Sequence, residues 1–474
     1  MKQIFLQFGD DNFIRAFADG LINELNKNIS VGSVIMIQPR HCGRVSELNN
    51  QSNLYTLLLR GVSSGKLFQN REIINCISEA INPYLEYEKY SALYKTQNLK
   101  FVISDTGRNG IIYTGKDSLN DKPQESFPGK ITAFLFRRYK YFEGAGDRGL
   151  IFLPCEDIDK NGGRLKDIVF KISSDWGLSE EFLKWVNENN YFLSTLTDRI
   201  VLGYPFEETA FLEKTMGYTD RLIDVAEPYY RWVIQGPKDI KKEIPFNKLS
   251  LRKIIYTDDL TPYSNLKTRI FDELSVCVAM IGLLCGKKNF QDVMDDDILR
   301  EFVKRLLFWE IVPSIGQTDD SALKYAEEVL ERFKNPYIKQ QAFKVFFKNG
   351  MDPERRLIPS INAHMRKRGN LPVHLIFSLA LNIYFCSREQ YIKNLEIKGD
   401  KFLKFCGKMW KHVGKSAKGI RLMSDKVLAL KIVLDSNAVK IKGVRRMLTV
   451  QLINITRHGL KKSLAKVVKR EAKR

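Results

Sequence analysis

The chain of 474 residues is short of several things, and each shortage excludes a class of protein. Its seven cysteines (Cys42, Cys76, Cys155, Cys277, Cys285, Cys386, Cys406) are odd in number and scattered, with no Cys-x-x-Cys pair. That pattern argues against a disulfide frame or a metal site and fits reduced thiols in a cytoplasmic protein. Histidine is scarce too: His41, His364, His374, His412 and His458 are far apart and form neither a ligand set nor a nucleophile pattern. His374, between Val373 and Leu375, reads as a core histidine with its hydrogen bonds met. No apolar run can span a bilayer, and the longest, Leu274 to Leu284, reads as a buried helix. Internal repeats and low-complexity linkers are missing. The chain opens directly on a short strand, so no signal peptide is expected.

Acidic residues are sparse at one end only. Residues 401–474 hold 21 Lys and Arg against Asp425, Asp435 and Glu471, so this segment carries +18 of the net charge of +21. The segment keeps a helical apolar period and is expected to be folded. Its basic face fits a solvated helical surface, or contact with an acidic polymer or an anionic membrane surface. No motif for specific nucleic-acid binding accompanies it, and interleaved aromatics are lacking.

What is present begins at the N-terminus. Residues 3–17, Gln-Ile-Phe-Leu-Gln-Phe-Gly-Asp-Asp-Asn-Phe-Ile-Arg-Ala-Phe, read as a strand that breaks at Gly9 and runs into a helix. A dinucleotide-binding unit starts in this way, because glycine allows a tight turn and a pyrophosphate rests on free N–H groups at the helix start. The second glycine position is Asp11. Its carboxylate would repel a pyrophosphate, and its side chain would obstruct close backbone approach. No acid follows the second strand to meet a ribose 2′-hydroxyl, whereas Arg40 and Arg44 leave a 2′-phosphate open.

Further compact strands are expected at Val34–Ile37, closed by Gln38-Pro39, at Phe101–Ser104 and at Leu150–Leu153. Helical patterns lie between them, at Glu72–Ile81 and Lys130–Tyr141. Short buried strands separated by helices predict an α/β, Rossmann-like domain over residues 1–262, with a mainly parallel sheet. Its ligand belongs outside the C-terminal strand ends, where Gly9, Asp105 and Glu156 fall. From Leu266 the period changes to that of helices: Leu266, Ile270, Leu274, Val278 and Ile281, then Ile298, Phe302 and Leu306. Ala322, Tyr325, Val329 and Phe333 follow before a break at Asn335-Pro336. Near the end Val444, Met447, Leu448, Leu452 and Ile455 form an apolar face that Gly459 closes. Residues 263–474 are therefore expected to be a mostly α-helical domain.

The order of motifs resembles one family, the long-chain polyol (mannitol) dehydrogenases, and within it the tagaturonate reductase (altronate oxidoreductase) branch. The resemblance rests on Leu6-Gln7-Phe8-Gly9 with Asn12-Phe13 and Arg15-Ala16-Phe17, on Ser126-Phe127-Pro128 with Lys130, and on Leu153-Pro154-Cys155-Glu156 with Asn161-Gly162. Its longest stretch is Thr195-Leu196, Asp198-Arg199-Ile200-Val201 and Gly203-Tyr204-Pro205, extended by Glu227-Pro228, Trp232-Val233-Ile234 and Asn335-Pro336-Tyr337-Ile338-Lys339. It implies NAD or NADP as cofactor, with Gly9, Asp11, Asn12, Phe13, Gln38, Asp105 and Glu156 around it. It further implies a small sugar acid or polyol as substrate.

The family's catalytic group resembles a Lys, an Asn five residues on and a His three beyond, with a second Asn on the sheet side. Lysine there acts as general base, and the asparagines donate to the developing oxyanion. This chain has Lys267, but Asp272, Ser275 and Ser194 at the other positions; Ser104-Asp105-Thr106-Gly107-Arg108 stands where the family has Ser-Asn-Thr-Thr-Glu. An ionised Asp272 accepts hydrogen bonds and donates none. Its charge would keep a neighbouring amine protonated, which hampers alcohol oxidation more than carbonyl reduction. Two functions are implied: an NAD(P)-dependent oxidoreductase favouring carbonyl reduction, or a catalytically impaired relative of the same fold that acts by binding. For Asp198-Arg199 a structural ion pair is expected, and for Glu156 and Asn161 either a ligand role or capping of their loop.

Overall fold

Short apolar runs become strands wherever a second run can cover them. The computed structural model describes residues 3–248, 253–315, 320–339, 343, 347, 351, 353–393, 400–430 and 443–471. In chain order its strands are β1 Gln3–Phe8, β2 Gly32–Ile37, β3 Tyr55–Ser63, β4 Lys66–Ile74, β5 Ile77–Ile81, β6 Leu99–Ser104 and β7 Ile151–Pro154. They continue as β8 Tyr191–Phe192, β9 Ser194–Asp198, β10 Val201–Gly203, β11 Asp224–Ala226, β12 Arg231–Gln235 and β13 Lys253–Thr257. Six of them form a parallel sheet in the order β5-β2-β1-β6-β7-β8. Smaller sheets run β10-β11-β3-β4 and β13-β12-β9. By contacts the chain divides into one unit of Met1–Arg60 with Phe68–Leu260 and a second of Gly61–Leu67 with Thr261–Arg474.

Alternation along β1 shows why the sheet is covered on both faces. Phe5 packs on one side with Phe17, Leu21 and Trp232, while Leu6 and Phe8 pack on the other with Phe127, Ile131 and Phe152. The helix Phe127–Tyr141 covers the latter side; Ser126 caps it by accepting the Gly129 N–H. The stretch Glu72–Ile81 is not helical, contrary to its sequence period. It is the end of β4 and the whole of β5, split after Ile74. Ile73, Ile77 and Ile81 recur at helical spacing, but isoleucine is β-branched and suits a pleated surface, and β2 offers Met36 and Ile37 as partners for Ala80 and Ile81.

From Thr261 onward the described residues of the second unit are mostly helical. Leu266, Ile270, Leu274, Val278 and Ile281 are all buried along a run made of Thr261–Leu266, a π-helical turn Lys267–Asp272, and Glu273–Leu284. Ser321–Phe333 buries Ala322, Tyr325, Val329 and Phe333 in the same way. Among the described residues of the basic C-terminal segment are the helices Lys401–Val413, Ala417–Leu428, Val444–His458 and Leu460–Glu471, and Gly459 ends the third of these at φ +80. Arg445 pairs there with Asp425, and Lys461 with Asp296 at 3.0 Å. The buried His374 bonds Glu310 through Nδ1 at 2.8 Å, and the same carboxylate accepts the His374 and Leu375 N–H groups at a helix start. Among the described residues no helix is long and apolar enough to cross a membrane.

The first helical run, Asn12–Ile14, π-helical Arg15–Asp19 and Gly20–Asn28, covers a buried charged cluster. Asp19 accepts hydrogen bonds from Tyr55 (3.1 Å) and Gln7 (3.4 Å), while Arg15 donates to the Leu222 carbonyl at 2.8 Å and lies 3.8 Å from Asp224. Burial pushes Asp19 and Asp224 up to about 7, against the pull of Arg15 on both, of the two hydrogen bonds on Asp19 and of Arg199 on Asp224. A carboxyl with its folded pKa above the unfolded value holds its proton better in the folded state. Stability therefore falls as pH rises from about 4 to about 7 and is level above that. Urea unfolding at pH 5 and pH 8 should show Asp19→Asn losing about 2–3 kcal/mol less over this interval than the parent. Equal losses would mean that Asp19 is ionised throughout.

Candidate active site

Four loops at the C-terminal ends of β1, β2, β6 and β7 assemble a candidate cofactor site on the sheet. Gly9 has φ +141, and a Cβ there would lie 2.7 Å from the Asp105 carbonyl oxygen. The glycine is thus required by contact between neighbouring loops, which the Asp105 N–H to Phe8 carbonyl bond (2.9 Å) and the Gly9 N–H to Ile37 carbonyl bond (3.2 Å) draw together. Asp10 turns inward and accepts the Arg44 N–H; burial raises its carboxyl pKa, with that hydrogen bond opposing. Asp11 opens the helix in an extended conformation without a side-chain cap. Its Oδ2 instead pairs with the Arg40 guanidinium at 3.0 Å.

Asn12 accepts from Arg15 at 2.6 Å and packs on Gly203, which has no room for a Cβ against it. Phe13 stacks on Phe17 with ring centroids 5.3 Å apart. Gln38, buried after β2, shapes the next loop by donating to the carbonyls of Arg40 (2.9 Å) and His41 (3.2 Å). After β7 the buried Glu156 accepts from Ser104 Oγ at 3.0 Å and from the Thr106 N–H and Oγ1 at 3.0 and 2.8 Å. Burial pushes its carboxyl up, and those bonds offset part of the shift.

Asn161 ties this edge to the next strand. Its Nδ2 donates to the carbonyls of Pro154 (2.9 Å), Glu156 (3.0 Å) and Thr195 (3.1 Å), and its Oδ1 accepts the N–H groups of Thr195 and Gly162. Ser194, the first residue of β9, accepts the Gly163 N–H at 3.3 Å and so sits at the start of the helix Asn161–Asp175. The hydroxyl of Ser194 keeps its own proton to donate. Arg199 donates to the carbonyls of Ala16 (2.8 Å) and Glu227 (3.0 Å), a scaffold role between strand ends.

The remaining expected residues lie in the helical unit. Lys267 and Asp272 are the first and last residues of the π-helical turn, and Ser275 is buried three residues further on, its Oγ without a hydrogen-bond partner among the described residues. Hydrogen bonding from i to i+5 places residues five apart on one face, where an α-helix would turn them well away from each other. The π-turn therefore narrows the angle between Lys267 and Asp272 around the helix axis.

Two further charged residues, outside the expected set, are buried. Lys130 is fully buried, donates to Tyr84 (3.0 Å) and to the Glu125 carbonyl (2.9 Å), and is pushed down to about 8 by burial. Glu273, buried next to Asp272, accepts from Ser360 at 3.0 Å and is pushed up to about 8 by burial, with Arg269 opposing. The four-residue spacing of Arg269 and Glu273 was a readable signal; Tyr84, distant in sequence from Lys130, left none.

A parallel-sheet edge with a glycine turn and a first helical turn free of side-chain caps fits an anionic diphosphate. The carboxylate at Asp11 is balanced by Arg40 and does not stand alone. Among the described residues no cluster of His, Cys, Asp and Glu could hold a metal ion. Residues 3–248 match a family model described as the mannitol dehydrogenase Rossmann domain, and residues 259–440 match one described as the mannitol dehydrogenase C-terminal domain. An altronate oxidoreductase of Bacillus subtilis is 39% identical over 381 residues, 80% of this chain and 79% of that protein. One of Yersinia pestis is 33% identical over 464 residues, 97% and 96% of the two chains. In fold the chain resembles a Pseudomonas fluorescens mannitol 2-dehydrogenase in ternary complex with NAD and D-mannitol (TM-score 0.72, 16% identity, 100% of this chain and 95% of that one). It also resembles a D-sorbitol dehydrogenase (TM-score 0.75, 17% identity, 98% and 95%).

Proposed function

Because the chain belongs to the mannitol dehydrogenase family, we propose that it is an NAD-type oxidoreductase of a CH–OH group in a sugar acid or polyol, and that it favours reduction of a tagaturonate-like keto-sugar acid. The observation that carries this reading is the meeting of Gly9, Asp11, Asn12, Gln38, Asp105 and Glu156 around the C-terminal ends of parallel strands. The Gly9 turn and the uncapped N–H groups after Asp11 would hold the dinucleotide diphosphate, with Gln38 beside the ribose and Asp105 and Glu156 shaping the strand ends. When bound there, the cofactor would supply the hydride for the carbonyl carbon.

The chain's own residues deal with the oxygen. Lys267, protonated, gives it a proton, and Ser194 donates a hydrogen bond to it. Asp272 can only accept, and its charge opposes that of an alkoxide, so it disfavours the alcohol-oxidising direction. The alternative of a binding protein without turnover finds no support in the comparisons, nor does an acidic polymer or a membrane as partner.

Purified protein should oxidise NADH when given tagaturonate, and faster than it reduces NAD with altronate at neutral pH. If neither NADH nor NADPH binds at millimolar concentration, the proposal is wrong.

A further inference from the structure

We propose that Asp11, acting through its pair with Arg40, selects the cofactor without a 2′-phosphate; this rests on the dinucleotide site proposed above. The loop after β2, Gln38-Pro39-Arg40-His41-Cys42-Gly43-Arg44, contains no acid and two arginines. In dinucleotide-binding sheets an acid at that place accepts from the ribose 2′-hydroxyl, whereas an arginine accommodates a 2′-phosphate. By this loop alone the chain would take the phosphorylated cofactor.

The acid comes instead from the turn after β1. Asp11 Oδ2 lies 3.0 Å from the Arg40 guanidinium, with the two side chains 52% and 56% exposed, so the pair is open to a ligand. The loop is built to hold Arg40 there. Buried Gln38 fastens the carbonyls of Arg40 and His41, buried Asp10 accepts the Arg44 N–H, and a Cβ on Gly43 would fall 2.6 Å from Gln38 Cγ. Consecutive acids thus do opposite things: Asp10 fixes the loop from inside, and Asp11 meets the loop's arginine from outside.

An ion pair this exposed adds little to stability, with a typical contribution of about 0–1 kcal/mol, so holding the fold does not explain it. Its effect falls on ligands. Arg40's charge is already taken up, and an arriving 2′-phosphate would have to displace a carboxylate and face its repulsion. A 2′-hydroxyl can donate to Asp11 Oδ1 with the pair left intact. Asp11 therefore discriminates against the extra phosphate, as an acid at the end of β2 would.

The test is titration of NADH and of NADPH, followed by nicotinamide fluorescence, on the parent, Asp11→Asn, and Asp11→Asn with Arg40→Ala. The parent should bind NADH about tenfold or more tighter than NADPH. Asp11→Asn frees Arg40 and should move the ratio by about tenfold or more toward NADPH, and removing Arg40 as well should abolish that gain. Thermal midpoints should be alike in all three proteins. Equal affinity of the parent for both cofactors, or an equal shift of both in Asp11→Asn, overturns this inference alone. Binding of neither cofactor by the parent overturns it together with the functional reading.

Discussion

Replacing Lys267 by methionine should lower kcat for keto-sugar acid reduction by about 10²–10⁴-fold, the range for loss of a positioned general acid, and leave NADH affinity unchanged. Methionine keeps the length and apolar stem of lysine and removes the proton. Lys267 begins a π-helical turn in which Ile270 is buried, with Leu266 before it and Leu274 after it buried as well, so the turn is held by packing that this substitution does not disturb. Rapid-mixing measurement of NADH oxidation, beside a fluorescence titration of NADH, separates chemistry from binding. A variant that turns over within a few-fold of the parent would remove Lys267 from the reaction. Equal loss of NADH affinity would make its role one of binding.

Much of this architecture was legible because it is carried by local patterns. Ile4, Leu6 and Phe8 alternate along β1, the break at Gly9 is a backbone requirement, and the helical period from Leu266 onward is long enough to be unambiguous. Glu72–Ile81 reads as a helix because isoleucines at that spacing satisfy one, and only the presence of β2 beside them decides for strands. The π-turn at Lys267–Asp272 was also hidden. The apolar period from Leu266 reads as α-helical throughout, and nothing in it marks bonding from i to i+5. At Asp11 the sequence showed an unfavourable charge, and only the fold supplies Arg40, twenty-nine positions later, as its counter-ion.

The buried network around Asn161 was the least legible part, since its bonds close over 34 residues to Thr195, while those of Glu156 reach back 50 to Thr106. Its sequence reading left capping and ligand roles open; the geometry shows a junction. Asn161→Ala removes both halves of the amide. It strands the Thr195 N–H and takes a donor from the Pro154, Glu156 and Thr195 carbonyls, in a position that is fully buried. Each buried group left unpaired costs about 1–3 kcal/mol, and relaxation recovers part, so the expected loss is roughly 3–5 kcal/mol. For a unit of this size that is a fall in Tm of about 10 °C. Asn161→Asp should be nearly as costly, because a carboxylate accepts the two N–H groups but donates to none of the three carbonyls and is desolvated. Differential scanning calorimetry of the two variants checks this. A loss below about 1 kcal/mol in Asn161→Ala would mean that water replaces the amide and that the strand ends do not depend on it.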